Sequence, residues 1–365
     1  MSFVALDCEG PITLNDNAFE LAKEFIPNGD SFFSNVSKYD DFLADVLKRP
    51  GYKAGDTLKL ILPFFKAYEI TNEHMKNFSE KTLAFVPDAS DMLRELNSMV
   101  PSFIISTSYK PYLEALSNET GFPLEHIYCT EVDIDAYDIS ENDAKNLRDM
   151  AQEIANMPQL TWPDDAKRAD DLGKEDQAIF RRLEEIFWAH IPSMEIGKIF
   201  KDVNPIGGPE KASGVEDASR RTQTSIQDSL YGGDSITDVE AFRLVREHNG
   251  ITISFNGNSY AVKAAEFALI SPSSLALHAI IKAFVKQGAD SVRSAFHEAK
   301  DGLSGTNLLN RLDDLGLEKN LLDLLDKYKD QISLFYTSPE NLNSIISQSE
   351  KMRKFVRGND VGNLG

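Results

Sequence analysis

The chain has 365 residues, of which 42% are hydrophobic, so it is long enough to bury a large core and to divide into two or three structural units. Its formal net charge is −20, from 58 acidic residues against 38 lysines and arginines, which argues against nucleic acid or an anionic membrane surface as partners. If such a chain binds an anionic substrate, a metal ion and a few well-placed cations must compensate the charge locally.

The two cysteines, Cys8 and Cys129, are not in a paired spacing, which excludes a disulfide scaffold and a cysteine zinc motif. The six histidines are scattered, so no histidine metal cluster is expected. The first residues lack the pattern of a secretory leader, and no stretch has the apolar length of a membrane span. These features predict a cytoplasmic protein.

The first predicted element is a short buried strand, Phe3 to Leu6, that ends abruptly at Asp7. A strand that empties into small or acidic loop residues returns at Ser102–Ser108 and at Tyr231–Asp234. This pattern predicts an α/β fold with an open, Rossmann-like parallel sheet, in which ligands bind beyond the carboxyl ends of the strands. Further strands are expected at His126–Thr130, Gly250–Phe255 and Phe267–Ile270.

The segments between these strands have helical apolar spacing. They predict a helical cap over residues 15–84, a second helical insertion over residues 136–200 and a helical C-terminal extension over residues 272–365. The last residues, Arg357 to Gly365, are expected to be frayed. The catalytic core would then consist of residues 1–14, 85–135 and 201–271.

Asp7 and Glu9, separated by one residue at the end of the first strand, form the strongest single feature. A carboxylate can attack phosphorus as a covalent nucleophile, and a second carboxyl can protonate the leaving alcohol and then activate water. Taken alone, an acidic pair after a strand is as often a loop with capping duties.

A second acidic motif runs from Gly232 to Asp238 and precedes a helical stretch. Asp234 and Asp238 lie on one side of the turn, where carboxylate oxygens could hold a hard cation such as magnesium. The alternative is an N-capping aspartate with an incidental second acid, which is the commoner arrangement for such a motif in isolation.

Ser106 ends the third strand-like run, so its hydroxyl and the neighbouring amides could donate to phosphate oxygens. Lys211 precedes Asp234 by the length of one helix and a turn, and could supply a positive charge. In isolation the serine would be an ordinary turn residue and the lysine a solvated surface charge.

In this order, the four features resemble the haloacid dehalogenase superfamily, and in particular its phosphoserine-phosphatase-like branch. The resemblance covers the core segments and leaves out the second insertion and the extension. It implies that Asp7 is the nucleophile and that Glu9 is the general acid and base, where the family usually has aspartate.

The resemblance also implies two sets of ligands. Magnesium would be bound by Asp7, Glu9 through its backbone carbonyl, Asp234 and Asp238, the last of which would alternatively orient Lys211. The phosphoryl group would be bound by Ser106, Thr107, Lys211 and Gly10.

These expectations together describe a magnesium-dependent phosphatase that hydrolyses a small phosphorylated metabolite through a phospho-aspartyl intermediate. Two alternatives stay open: a phosphotransferase that uses the same intermediate, and a non-catalytic regulatory protein with the same fold. Arg49, Arg220 and Arg221 are candidates for binding the rest of a substrate, and leucine stripes in the extension could support a homodimer.

Overall fold

A computed structural model describes residues 2–297, 299–362 and 364 of the chain. Its centre is one sheet of eight strands in the spatial order β3-β2-β1-β4-β5-β6-β8-β7. The strands are β1 Phe3–Leu6, β2 Ser102–Tyr109, β3 Ile127–Thr130, β4 Ser229–Gly233, β5 Ile251–Phe255, β6 Phe267–Ile270, β7 Leu303–Ser304 and β8 Ser333–Tyr336.

Strands β1 to β6 are parallel, whereas β8 runs antiparallel to both β6 and β7. The strand order reverses around β1, which lies between β2 and β4. In an open α/β sheet such a reversal leaves a crevice at the carboxyl ends of the strands, and ligands bind there.

The helices fall into groups along the chain. Residues 15–84 contain α1 Asn17–Phe25, α2 Gly29–Asp41, α3 Thr57–Ala67 and α4 Asn72–Thr82, and they are followed by α5 Ala89–Met99 and α6 Lys110–Thr120. The middle of the chain contains α7 Glu141–Ala155, α8 Lys174–Glu185, α9 Ile191–Ser193, α10 Ile199–Asp202, α11 Gly208–Thr222, α12 Val239–Glu247 and α13 Ser259–Ala264. The last part contains α14 Leu275–Gln287, α15 Ala289–Phe296, α16 Gly305–Asp314, α17 Lys319–Leu325, α18 Leu342–Arg357 and α19 Asn359–Gly362.

The sheet is covered on both faces, because alternate residues of each buried strand point to opposite sides. On one face, Val4 and Leu6 of β1 join a core that includes α5, α6 and α14. On the other face, Phe3 and Ala5 join a core with α11 and α12. The central strand β1 is therefore a continuous apolar run, and it is followed at once by the acidic Asp7.

The cap and the second insertion share a single apolar core. Phe64 of the cap and Phe187 of the second insertion are both fully buried, and their ring centroids lie 6.0 Å apart in an edge-to-face arrangement. Tyr39 of the cap also stacks on Phe187, at 5.6 Å. Two segments predicted as separate helical insertions thus pack as one body beside the strand ends.

The extension departs from the prediction of an all-helical segment, since it contributes β7 and β8 and makes the sheet mixed rather than parallel. Main-chain pairing with β6 provides the physical reason: without β8, the edge of β6 would present unpaired amides and carbonyls. Among the described residues, no helix combines the length and the apolarity needed to cross a membrane.

Part of the tail that was predicted to be frayed is helical. Residues 359–362 form α19, in which Val361 is buried, and the backbone carbonyl of Leu364 accepts a hydrogen bond from Arg353. The prediction also covered Asn363 and Gly365, which lie outside the described residues.

Candidate active site at the carboxyl ends of the strands

The candidate site is built on the loops that follow β1, β2 and β4, with one residue from α11. Asp7 follows β1 and Asp234 follows β4, and the amide of Asp7 donates to the carbonyl of Gly232 at 2.8 Å. Lys211 comes from the first turns of α11 and is fully buried. Adjacent parallel strands therefore deliver their terminal residues to one place.

Lys211 joins two of the predicted carboxylates. Its ammonium group donates to Asp7 Oδ2 at 2.6 Å and to Asp238 Oδ1 at 2.8 Å. Burial opposes the charge on the lysine, but Asp238 and Asp7 together raise its pKa above the ordinary value, so that it stays protonated. Burial raises the pKa of Asp7 to about 8, an effect that the ammonium group of Lys211 opposes but does not cancel.

Asp238 organises the loop as well as the lysine. Its Oδ1 also accepts from the hydroxyl of Tyr231 at 2.7 Å, and its Oδ2 accepts from the amides of Asp234 and Ser235 at 2.9 and 3.0 Å. Burial would raise the pKa of Asp238, but Lys211 and these donors hold it below its ordinary value. Both oxygens are therefore engaged, which fits a role in orienting Lys211 and the Asp234 loop.

Two glycines allow these side chains to approach the backbone. Gly10 has a φ of +105°, and a Cβ there would lie 2.3 Å from Asp234 Oδ2. A Cβ on Gly233 would lie 2.4 Å from Asp238 Cγ. The amide of Gly10 donates to the carbonyl of Thr13, so this glycine makes room for Asp234 while its own amide is already engaged.

Glu9 lies on the other side of Asp7 and is half-buried. Its Oε1 accepts from the amide of Asn17 at 2.8 Å, at the start of α1. Burial and the neighbouring Asp16 raise the pKa of Glu9 to about 8, against the opposing effect of Arg357. The shift favours the protonated form of this carboxyl, which is the form that a general acid needs.

The end of β2 presents hydroxyl groups to the same place. Ser106 is buried, and its Oγ accepts from the amide of Ser108 at 3.2 Å. The hydroxyls of Thr107 and Ser108 are also buried; that of Ser108 is directed at Glu9 and lowers the pKa of Glu9, whereas that of Thr107 has no hydrogen-bond partner among the described residues. Buried hydroxyls without partners are unusual, and they leave donors available to a ligand.

A cavity of about 110 Å³ opens between the strand ends and the cap. Asp7, Glu9, Thr107, Ser108 and Asp234 line its sheet side. The cap contributes further lining residues: Asp16, Ala18, Phe33, Ser37, Asp40, Asp41, Gly55, Thr57 and Leu58. A ligand held at the strand ends would therefore also touch the cap.

The carboxylate set fits a hard cation. One oxygen from each of Asp7, Asp234 and Asp238 lies within 4.8 Å of the others, and all three residues are buried. Oxygen ligands at this spacing suit magnesium. Among the described residues, these three form the one such cluster of potential metal ligands.

Two residues that the sequence did not single out complete the surroundings of Asp234. Arg353 donates to Asp234 Oδ2, and Arg357 donates to the same oxygen at 3.0 Å. Both come from α18, in the extension. In the sequence they are two basic residues four apart in a helical stretch, which by itself indicates nothing more than a shared helix face.

The other arginine candidates lie away from the cavity. Arg49 pairs with Glu184 at 2.6 Å, and Arg220 pairs with Asp217 at 2.8 Å. Arg221 donates to the backbone carbonyl of Glu125. None of these three arginines lines the cavity.

Neither a protein-family model nor a curated protein matches this sequence. The chain is similar to the solved structure of a gene product from Archaeoglobus fulgidus, with 28% identity and a TM-score of 0.78, over 100% of this chain and 99% of that one. The architecture thus has a counterpart along its whole length, including the insertions and the extension.

A second solved structure, a phosphoserine phosphatase in its apo form, aligns with 73% of this chain and 92% of its own length. Its identity is 11% and its TM-score is 0.41. A superposition this loose identifies neither the fold nor the activity.

Proposed function

We propose that this chain is a magnesium-dependent phosphatase of the haloacid dehalogenase type, which hydrolyses a small phosphate monoester through a phospho-aspartyl intermediate on Asp7. The observation that carries the proposal is the convergence of Asp7, Lys211, Asp234 and Asp238 beyond the ends of neighbouring parallel strands. A nucleophilic carboxylate, a fixed ammonium group and a set of oxygen ligands are what phosphoryl transfer from an ester to a carboxylate needs.

In the first step, Asp7 would attack phosphorus, and the bond from phosphorus to the ester oxygen would break. Glu9, whose protonated form is favoured by burial, would give its proton to the departing alcohol. In the second step, Glu9 would take a proton from water, whose oxygen attacks phosphorus and releases Asp7 and inorganic phosphate. The proton that Glu9 gives to the alcohol is thus replaced by one from water, and the phosphoryl group leaves as inorganic phosphate.

The phosphoryl oxygens would be bound by groups that the site already orients. Lys211 lies 2.6 Å from Asp7, so its charge offsets the repulsion between the nucleophile and an anionic substrate. The buried hydroxyl of Thr107 is free to donate. A magnesium ion on Asp7, Asp234 and the carbonyl of Glu9 would neutralise further negative charge on the transferring group.

The leaving group would lie against the cap. Because the cavity is small, at about 110 Å³, and is closed on one side by α2 and α3, a small phosphorylated metabolite fits better than a macromolecular substrate. Closure of such a site against bulk water favours transfer to one bound water. A cytoplasmic location and self-association through the extension stay predictions from the sequence.

The test is phosphate release from p-nitrophenyl phosphate by the purified protein. We expect release only with added magnesium, and loss of at least about 10³-fold in kcat for Asp7→Asn, because an amide oxygen is a poor nucleophile. During turnover by the wild type, mass spectrometry of the peptide that contains Asp7 should detect one added phosphoryl group.

The exposed Asp165 provides the matched control, since Asp165→Asn makes the same chemical change outside the cavity and should leave kcat unchanged. Circular dichroism should establish that the Asp7→Asn protein is folded. Full turnover by a folded Asp7→Asn protein would overturn the assignment of the nucleophile, and release in the presence of a chelator would overturn the magnesium requirement.

A further inference from the structure

Helix α18 of the extension contacts Asp234, the candidate metal ligand that follows β4. It packs on β6 and on α13, and its register brings Arg353 and Arg357, four residues apart, to the same side. Both guanidinium groups donate to Asp234 Oδ2, although these arginines lie more than a hundred residues further along the chain.

The contact between the two arginines and Asp234 is buried. Each arginine side chain is 5% exposed, and that of Asp234 is 3% exposed. Arg357 also donates to the backbone carbonyls of Leu14, at 3.0 Å, and Asn15. Arg353 donates to the backbone carbonyl of Asp234 at 3.2 Å and to that of Leu364 at 3.4 Å.

These extra acceptors distinguish the pair from a surface ion pair, which is usually worth little. Backbone carbonyls from the β1 loop, the β4 loop and the end of the chain fix the two planar groups in place. Fixed guanidinium groups at a buried carboxylate make charge-assisted hydrogen bonds, which are about twice as strong as neutral ones.

The arginine pair opposes a divalent cation on the same carboxylate. The two guanidinium groups bring two positive charges to one oxygen of Asp234, and the carboxyls of Glu9 and Asp16 lie nearby. Adding a dication there would put like charges within a few ångströms of each other in a poorly screened interior. The cation and the arginine pair therefore compete for Asp234.

We propose that Arg353 and Arg357 are an internal competitor of magnesium: they hold Asp234 when no cation is bound, and cation binding requires that α18 give up this contact. The inference rests on the proposed magnesium site. It assigns to the extension a role at the site, because α18 carries both of these arginines.

The first test measures magnesium affinity by isothermal titration calorimetry in the absence of substrate. The double variant Arg353→Gln/Arg357→Gln should bind magnesium on the order of 10-fold more tightly than the wild type, a size typical of coupling between two sites. Lys351→Gln removes one positive charge from the exposed side of the same helix and should leave the affinity unchanged. Equal or weaker binding by a folded double variant would overturn the proposal.

A second measurement uses the wild type alone and does not depend on the folding of a variant. Saturating magnesium should speed amide hydrogen exchange in residues 349–357, because releasing Asp234 removes the arginine contacts that hold α18 down. The same addition to Asp234→Asn should change nothing. Unchanged or slower exchange of α18 in the magnesium-bound wild type would overturn the proposal.

The outcomes separate this inference from the proposed activity. If magnesium loosens α18 while no phosphoester is hydrolysed, the competition holds and the phosphatase assignment fails. Suppose instead that phosphate is released with magnesium, but that the double variant binds magnesium no more tightly and magnesium does not speed exchange in α18. The activity is then supported and the proposed competition is wrong.

Discussion

At the scale of single residues, Asp40 is a carboxylate held in the interior of the cap. Its Oδ1 accepts from the hydroxyl of Tyr52 at 2.6 Å, and its Oδ2 accepts from the amide of Gly55 at 3.1 Å. Its residue surface is 4% exposed. Burial, which neither donor fully offsets, raises the pKa of Asp40 to about 7.

This pKa predicts a pH dependence of stability. In the unfolded chain the pKa of Asp40 should be about 4. Between about pH 4 and pH 7 the folded state therefore keeps a proton that the unfolded state releases. The free energy of unfolding should therefore fall as pH rises through this window, by up to about 1.4 kcal/mol per pH unit from this group. Urea unfolding of the wild type and Asp40→Asn across the window should show a shallower slope for the variant.

Asp165→Asn, an exposed carboxylate change, should keep the wild-type slope. Parallel slopes for the wild type and Asp40→Asn would contradict the prediction. The absolute stability of Asp40→Asn is not part of the test, because an amide cannot accept both hydrogen bonds that Asp40 accepts.

The residues of the site differ in how far the sequence could indicate them. Asp7, Asp234 and Asp238 each follow a recognisable strand, so their meeting at one edge follows from parallel pairing. Arg353 and Arg357 carry no such signal, because their position depends on how α18 docks on the sheet. Thr107 was expected from the family resemblance to bind the phosphoryl group, whereas Ser108 was not singled out, because a shift of one or two positions at the end of β2 decides which hydroxyl faces the cavity.

At the scale of elements, the joint core of the cap and the second insertion has an energetic consequence. Phe64 and Phe187 are fully buried and belong to different insertions, yet their rings meet edge to face. Changing either one to alanine removes a large side chain from a close-packed interior. Each segment thus completes the other's apolar surface.

We expect Phe64→Ala and Phe187→Ala each to lower the free energy of unfolding by about 3–5 kcal/mol. The double variant should lose less than the sum, by about 0.5–1.5 kcal/mol, because the ring pair is lost only once. Urea unfolding of the four proteins gives this coupling directly.

Phe267 serves as the control partner, since it lies in the core on the sheet rather than in the core of the cap. Phe64→Ala and Phe267→Ala should be additive within about 0.5 kcal/mol. If the changes in the free energy of unfolding for Phe64→Ala and Phe187→Ala are fully additive, the cap and the second insertion are energetically independent.

The helical character of both insertions could be predicted from apolar spacing, which is a local property. Their merging could not, because nothing in the spacing says which helix faces which. The strands β7 and β8 were missed for a related reason. They are short, and they lie among leucine-rich helical stretches whose periodicity dominates the pattern.

At the scale of the whole molecule, the net charge of −20 acts on the folded state as self-repulsion. Most of the described ion pairs join residues three or four apart in the chain or are exposed, so they offset little of this self-repulsion. Screening by salt should therefore reduce the repulsion more than it weakens the attractive ion pairs, and the net effect should be a more stable folded state.

Raising sodium chloride from about 0.01 M to about 0.15 M shortens the Debye length from about 30 Å to about 8 Å. The urea midpoint should rise over this range, and potassium chloride should give the same rise, because screening depends on ionic strength and not on the identity of the monovalent cation. A falling midpoint would show that attractive pairs outweigh the general repulsion.

The distance along the chain between Asp234 and its arginine partners matters during synthesis on the ribosome. Strands β1 to β6 and the cap leave the ribosome before α18, and N-terminal parts of a chain generally fold first. Until residues 353 and 357 emerge, Asp234 lacks both guanidinium partners, and burying a carboxylate without its counter-charges in a low-dielectric interior is costly. Docking of α18 thus adds an electrostatic step that can follow the formation of the sheet, since all eight described strands precede α18 in the chain.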